Sequence, residues 1–182
     1  MKEQKTDDFV IGRHPAMAAL KSGQDINKVF VQSGLKSDAI QEIVSAAKKR
    51  NIVVSQVPKT KLDLLSDGQN HQGVVLAVAA FQYAELEELF EAAAKKGEDP
   101  FFLILDGIED SHNLGSILRT ADAAGIHGII IPKRRAVQLT STVAKTSTGA
   151  VEYVPVCRVT NLAQTVDELK NRGLWIFGTD MK

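Results

Sequence analysis

The sequence predicts an α/β protein built as two consecutive units. Three observations carry this. Short β-branched or apolar runs alternate with segments whose apolar residues recur at helical spacing, the pattern of strands joined by helices. The run FFLILD at 101–106 is apolar almost throughout, as in a parallel strand covered on both faces. Hydrophobic residues make up 44% and charged residues 24% of 182 residues, a globular composition with room for one domain or two small ones.

The first unit reads as follows. KVFV (28–31) is a short apolar strand. SDAIQEIVSAAKKR (37–50) places Ile40, Ile43, Val44 and Ala47 on one helical face, with Ser37 as N-cap. NIVVSQV (51–57) is a strand by its β-branched content. PKTKLDLLSDG (58–68) is a short helix, with Pro58 before it or in its first turn and Gly68 past its end. NHQG (70–73) is a turn and VVLAVAAF (74–81) a buried strand. AELEELFEAAAKKGEDP (84–100) follows as a helix with Leu86, Leu89, Phe90 and Ala93 on one face, acidic at its start and lysine-rich at its end. The organisation expected is a domain at 1–82, a connecting helix at 83–100 and a second domain at 101–182.

In the second unit FFLILD is the first strand, HGIIIP (127–132) the second and VPVC (154–157) the third. NLAQTVDELKNRG (161–173) is a capped helix and LWIFG (174–178) a fourth strand. Strands alternating with helices imply a parallel sheet with right-handed crossovers, whose ligands sit beyond the carboxyl ends of the strands.

Several classes are excluded or disfavoured. No apolar run approaches a membrane span, and MKEQKTDDFVIG lacks the apolar core of a signal peptide. The single Cys157, expected on a buried strand, rules out an intrachain disulfide framework, so a cytoplasmic location is expected. Four scattered histidines and one cysteine give no metal-ligand spacing, so no metal is expected. Twenty-two basic residues balance 22 acidic ones, unlike a protein that binds nucleic acid nonspecifically. Local basic clusters remain, KKR (48–50) and KRR (133–135). The first reads as a solvated helix end.

One stretch stands apart: SHNLGSILRTADAAG (111–125). A helix from Leu114 to Ala124, stopped by Gly125, turns Leu114, Ile117, Leu118 and Ala121 inward. Arg119 then lies about 150° from the centre of that stripe. Asn113 falls at the expected N-cap, and Gly115 leaves room for a ligand to approach. An exposed arginine and a capping asparagine need no function. Their place after a strand's carboxyl end favours a ligand-facing role. No G-x-G-x-x-G dinucleotide fingerprint or phosphate loop is present.

NLGSILRTA (113–121) resembles the first motif of the SpoU/TrmH-type RNA ribose methyltransferases, N-x-G-x-I-x-R-T-A. The likeness extends through FLILDGIEDSHNLGSILRTADAAGIHGIIIPKRRAVQLTSTVAKTSTGAVEYVPVCRVTNLAQTV. RHPAMAAL and NHQGVV resemble the N-terminal, ribosomal-protein-like substrate domain of the subgroup that methylates a guanosine of large-subunit ribosomal RNA, the RlmB type. The resemblance implies a small α/β substrate-binding domain followed by a parallel-sheet α/β-knot methyltransferase domain. It implies methyl transfer from S-adenosylmethionine to a ribose 2′-hydroxyl, and typically a homodimer. Asn113 matches the family's motif asparagine and Arg119 its catalytic arginine, proposed as general base or as holder of the phosphate beside the target ribose. Guanidinium is normally always protonated, which favours the phosphate role. Lys133, Arg134, Arg135 and Lys145 match positions suited to RNA phosphates. Arg13, His14, Asn70 and His71 either touch RNA or cap turns. Gly178 and Thr179 are weak candidates for cofactor contact.

The sequence departs from the family twice. Ser111 stands where the family usually has proline before His-Asn. The second and third motifs, which build most of the methyl-donor pocket and its knot, do not occur before Lys182. The expectation is a C-terminally truncated chain that is inactive on its own, derived from an active RNA methyltransferase. The alternative reading is a non-catalytic RNA-binding module.

Overall fold

The structure is a computed structural model describing residues 8–179 of the chain. Its elements fall into two units, each with its own sheet. The first unit runs to Gln82 and takes in Gln138–Ala144; the second holds Tyr83–Val137 and the chain from Lys145 onward.

The first unit contains β1 (Phe9–Ile11), α1 (Arg13–Lys21), β2 (Ile26–Gln32), α2 (Asp38–Lys49), β3 (Val54–Val57), α3 (Lys59–Leu65) and β4 (Val74–Val78). Strand order is β1-β4-β2-β3, with β4 antiparallel to both β1 and β2 and β2 parallel to β3. β4 is central and buried on both faces except at Ala77, which explains its unbroken apolar run. Ile40, Ile43 and Ala47 of α2 and Ala16, Ala19 and Leu20 of α1 pack on this sheet. Arg50 closes the KKR cluster in a structural role. Its guanidinium donates to the carbonyl of Leu20 (2.9 Å), one that the end of α1 leaves open, and to those of Gly23 (3.2 Å) and Gln24 (2.8 Å) in the loop that follows. Neither β1 nor α1 was predicted from periodicity. β1 is only three residues long, and the apolar side of α1 is mostly alanine.

The inserted segment Gln138–Ala144 joins this unit through named bonds. Ala80 N donates to Leu139 O at 3.0 Å, and Asn27 Nδ2 donates to the carbonyls of Val78 and Leu139, each at 3.2 Å. Ser141 donates its N–H and hydroxyl to the Asp8 carboxylate at 3.1 and 2.7 Å.

The second unit contains α4 (Leu86–Lys96), β5 (Phe102–Ile104), α5 (Ser111–Ala123), β6 (Gly128–Pro132), β7 (Val156–Val159) and α7 (Leu162–Asn171). The short α6 (Ser141–Thr146) spans the junction between the two groupings. The sheet is parallel throughout in the order β5-β6-β7, as the alternation of strands and helices required. α4 is a packed member of this unit. Leu89 is fully buried, occupying the space a Cβ on Gly128 would need, and Phe90 meets Phe102 edge to face at 5.0 Å. Asn161 caps α7, accepting from Gln164 N at 3.2 Å.

LWIFG does not form a fourth strand. Residues 174–179 form neither helix nor strand and make no ladder with either sheet edge, and Trp175 and Phe177 are 86% and 85% exposed. Composition marks this run as strand-prone, but pairing is a tertiary property that composition does not supply. Among the described residues, no helix is long and apolar enough to cross a membrane.

Candidate functional site

The β5–α5 connection builds the site. After Ile104 the chain turns through residues 105–110 and enters α5, whose N-cap is Asp110. One carboxylate oxygen of Asp110 accepts from His112 N (2.8 Å) and Asn113 N (3.0 Å), satisfying two donors that a helix start leaves open. Asn113 is therefore in the first turn rather than at the cap expected for it. Periodicity begins at Leu114, so the sequence placed the cap one turn late.

Leu114, Gly115, Leu118 and Ala121 are buried, which anchors α5 against the sheet. At 100° per residue, Asn113, Ser116, Arg119 and Thr120 fall on the opposite side, and all four are exposed. The side chains of Arg119 and Asn113 have no hydrogen-bond or ion-pair partner among the described residues. Gly115 does not open a path for ligand. A Cβ there would meet Thr146 Oγ1, and would lie 2.6 Å from Thr146 Cβ. The missing side chain lets α6 pack against α5, and Thr146 Oγ1 donates to Ser111 O at 3.3 Å. This seat is why residue 115 must be small.

The basic candidates of this unit lie on neighbouring loops. Lys133 N donates to Val159 O at 2.9 Å, extending the sheet past the carboxyl ends of β6 and β7; its side chain is half-buried. Arg134 and Arg135 are exposed, with Arg135 in the left-handed region at φ 54°. Val137 N donates to Ile108 O at 2.8 Å, tying this loop to the one that precedes α5. Lys145 is exposed at the end of α6, next to Thr146. The carboxyl edge of the parallel sheet thus gathers α5 and three exposed cations, Arg134, Arg135 and Lys145. Glu152, in a 3-10 turn after α6, is exposed.

Gly178 and Thr179 are exposed in the irregular segment beyond α7, and a Cβ on Gly178 would meet nothing within 4 Å. As described, they enclose no ligand. Cys157 lies buried on β7. Burial, with Glu85 adding to it, pushes its thiol up to about 11 from 9.0. Among the described residues, no group of three or more His, Cys, Asp or Glu side chains is placed to hold a metal.

In the first unit, Arg13 opens α1 and is tied to the NHQG turn. Its N–H donates to Gln72 Oε1 (3.3 Å) and its Nε to Gln72 O (2.9 Å). His14 and Asn70 are exposed. His71 is 5% exposed with both ring nitrogens engaged. Nδ1 accepts from Gly73 N (2.9 Å), so Nε2 carries the proton and donates to Asp63 Oδ1 (3.0 Å). His71 therefore caps the turn, the second of the two alternatives expected for it, and has no free ring nitrogen to offer RNA. His127 repeats the arrangement in the second unit, accepting from Phe101 N (3.1 Å) and donating to Glu98 (2.9 Å). Sequence reasoning did not find Gln72, Asp63 or Asp110. Their roles depend on backbone partners that residue spacing does not specify.

Two family models match the chain: the SpoU rRNA Methylase family over residues 100–182, and RNA 2′-O ribose methyltransferase substrate binding over residues 9–84. The Bacillus subtilis (strain 168) protein YacO, described as a TrmH-family tRNA/rRNA methyltransferase, is 56% identical over 173 residues, covering 95% of this chain and 69% of YacO. A Staphylococcus aureus (strain MSSA476) protein of the same description is 52% identical over 174 residues, covering 96% of this chain and 70% of its own length. Among solved structures, the SpoU methyltransferase AviRb from Streptomyces viridochromogenes, in complex with AdoMet, matches at 22% identity and a TM-score of 0.44. That match covers 91% of this chain and 58% of the AviRb chain. The chain belongs to the SpoU family of RNA methyltransferases. Its similarity within that family is to the TrmH-type tRNA/rRNA methyltransferases.

Proposed function

We propose that the protein takes part in S-adenosylmethionine-dependent 2′-O-methylation of RNA, on a guanosine of large-subunit ribosomal RNA. The observation that carries this is Arg119: an exposed guanidinium without a described partner, on the polar face of α5, the helix that follows a parallel strand's carboxyl end. The role proposed for Arg119 is to clamp the phosphate next to the target ribose. A guanidinium presents a planar fork that matches phosphate and holds its charge at any working pH. Clamping places the 2′-hydroxyl and lowers the entropy cost of alignment. Asn113, six residues earlier on the exposed side of α5, is proposed to orient the ribose.

Arg134, Arg135 and Lys145, with Lys133 beside them, are proposed phosphate contacts; they position RNA without reading sequence. Arg13, His14 and Asn70 are proposed contacts in the substrate-binding unit, with His71 acting through the turn it caps. A homodimer and a cytoplasmic site of action are part of the same reading. S-adenosylmethionine would supply the methyl group as a sulfonium electrophile. Gly178 and Thr179 do not fit that donor as the described chain holds them, since both are exposed.

The test is tritium transfer from labelled S-adenosylmethionine to ribosomal and transfer RNA, with nuclease digestion of the product. It uses a protein of YacO's length that carries these residues. Label in 2′-O-methylguanosine from ribosomal RNA supports the reading. Label on a base, or on transfer RNA alone, contradicts it. Calorimetry of the 182-residue chain adds a second check. Micromolar binding of S-adenosylmethionine would show that these residues do fit the donor.

A further inference from the structure

A cleft of about 550 Å3 lies in the first unit, between the start of α1, α2 and the turn before β4. That volume falls in the range of small-molecule sites, about 300–1,000 Å3. Met17 and Ile43 give it an apolar lining, and Arg13, His14, Glu42 and Gln72 give it polar groups.

The two charges in this lining do not pair. Arg13 is held through Nε to Gln72 O at 2.9 Å, which leaves Nη1 and Nη2 without a hydrogen-bond partner among the described residues. The Glu42 carboxylate likewise has no ion-pair partner among them. A guanidinium and a carboxylate that line one cleft without meeting leave a gap. A ligand closes it by offering paired acceptors to one and paired donors to the other.

Guanine does this. Its O6 and N7 accept from an arginine fork, and its N1–H and N2–H2 donate to a carboxylate. Adenine sets its N6–H2 donor beside the N7 acceptor. Cytosine has one donor group on its pairing edge, and uracil one N–H between two acceptors. Both edges of a base are reachable together only when it is unpaired, as in a single-stranded loop. We propose that this cleft is a single-guanine site for unpaired RNA, with Arg13 on the O6/N7 edge and Glu42 on the N1/N2 edge. The proposal rests on the RNA-methyltransferase reading, under which the substrate-binding family model matches residues 9–84.

The cleft is held in shape before any ligand arrives. Gln72 (φ 50°) and Gly73 (φ 84°) are both left-handed, which fixes the carbonyl that holds Arg13. Gly73 is required there twice over, since a Cβ would also meet Leu35 Cδ2. The His71 ring accepts from Gly73 N and anchors the turn to Asp63 on α3. Such preorganisation lowers the ordering cost of binding.

The test is fluorescence anisotropy of the chain with pentaribonucleotides UUNUU, where N is G, A, C or U, alongside competition by GMP. The G oligonucleotide is expected to bind about tenfold more tightly than the other three, the discrimination typical of a paired base contact. Glu42→Gln and Arg13→Lys should each abolish that preference and keep the weak common affinity, with the melting temperature unchanged in Glu42→Gln, whose side chain has no described partner to lose. Equal binding of all four, or a preference that survives both variants, overturns the guanine site and leaves the RNA reading standing. Failure to bind any oligonucleotide also overturns the guanine site, while the RNA reading stands or falls by the methyl-transfer assay. GMP competing as well as the G oligonucleotide reassigns the cleft to free nucleotide and overturns the RNA form.

Discussion

Gly115→Ala tests the seat that holds α5. In an exposed helix interior this change stabilises by about 1 kcal/mol, because glycine is the poorer helix former. In this protein the new Cβ would lie 2.6 Å from Thr146 Cβ and 3.0 Å from the Thr146 carbonyl carbon. Rotating the threonine side chain relieves neither contact, since neither atom moves with χ1. α5 and α6 must separate, an overpacking cost of about 1–3 kcal/mol. The net expectation is a loss of about 1–2 kcal/mol, the upper part of the difference between those terms. In a Thr146→Gly background the Cβ contact disappears and only the 3.0 Å approach to the backbone carbonyl carbon remains, so Gly115→Ala should be close to neutral, the gain of about 1 kcal/mol in helix propensity offset by a residual overpacking cost of about 1 kcal/mol. Urea unfolding followed by circular dichroism closes the double-mutant cycle, with a coupling of about 1–2 kcal/mol expected. Stabilisation by Gly115→Ala alone, or zero coupling, would refute the close packing at residues 115 and 146.

Other perturbations follow from the same contacts. Because folding raises the Cys157 pKa from 9.0 to about 11, the native state keeps a proton that the unfolded chain releases. That stabilisation is whole below pH 9 and is lost as pH rises toward 11. The melting temperature of the wild type should therefore fall more steeply across this window than that of Cys157→Ala, and parallel curves would count against the buried thiol. His71→Ala should cost about 1–3 kcal/mol, the penalty for leaving the inward-facing Gly73 N–H without an acceptor. Asp63→Ala should cost less, about 0.5–1.5 kcal/mol, since it removes one bond to an exposed carboxylate; equal losses in thermal melts would contradict the ranking. Arg134→Ala and Arg135→Ala should each weaken RNA binding by a similar factor for every sequence, flattening the salt dependence by about 0.7 per contact. A sequence-dependent loss would argue for base contacts instead.

The sequence made the core of this arrangement legible and left its edges unread. The stripe Leu114, Leu118 and Ala121 is buried as its 3.6-residue period requires, and the parallel sheet follows from alternating strands and helices. The side chain that caps α5 was harder to read, because Asp110 and Asn113 are equally good capping types and only backbone geometry separates them. Gly115 is open space in a sequence and occupied space in the structure. The residue that fills it, Thr146, is 31 positions away. For His71 the sequence left RNA contact and turn capping both open. The burial of its ring follows from two local bonds that a spacing argument does not contain. The apolar run after α7 has the composition of a strand and no strand partner in the described chain.

The central claim is that Arg119 meets an RNA phosphate. The most direct measurement is the affinity of the chain for a short single-stranded RNA at graded salt, wild type against Arg119→Ala. The account predicts a loss of affinity that is the same for every RNA sequence, and a salt slope shallower by about 0.7, the mark of one phosphate contact removed. The melting temperature should not change, because this side chain has no described partner to lose. An unchanged affinity and slope would contradict the claim.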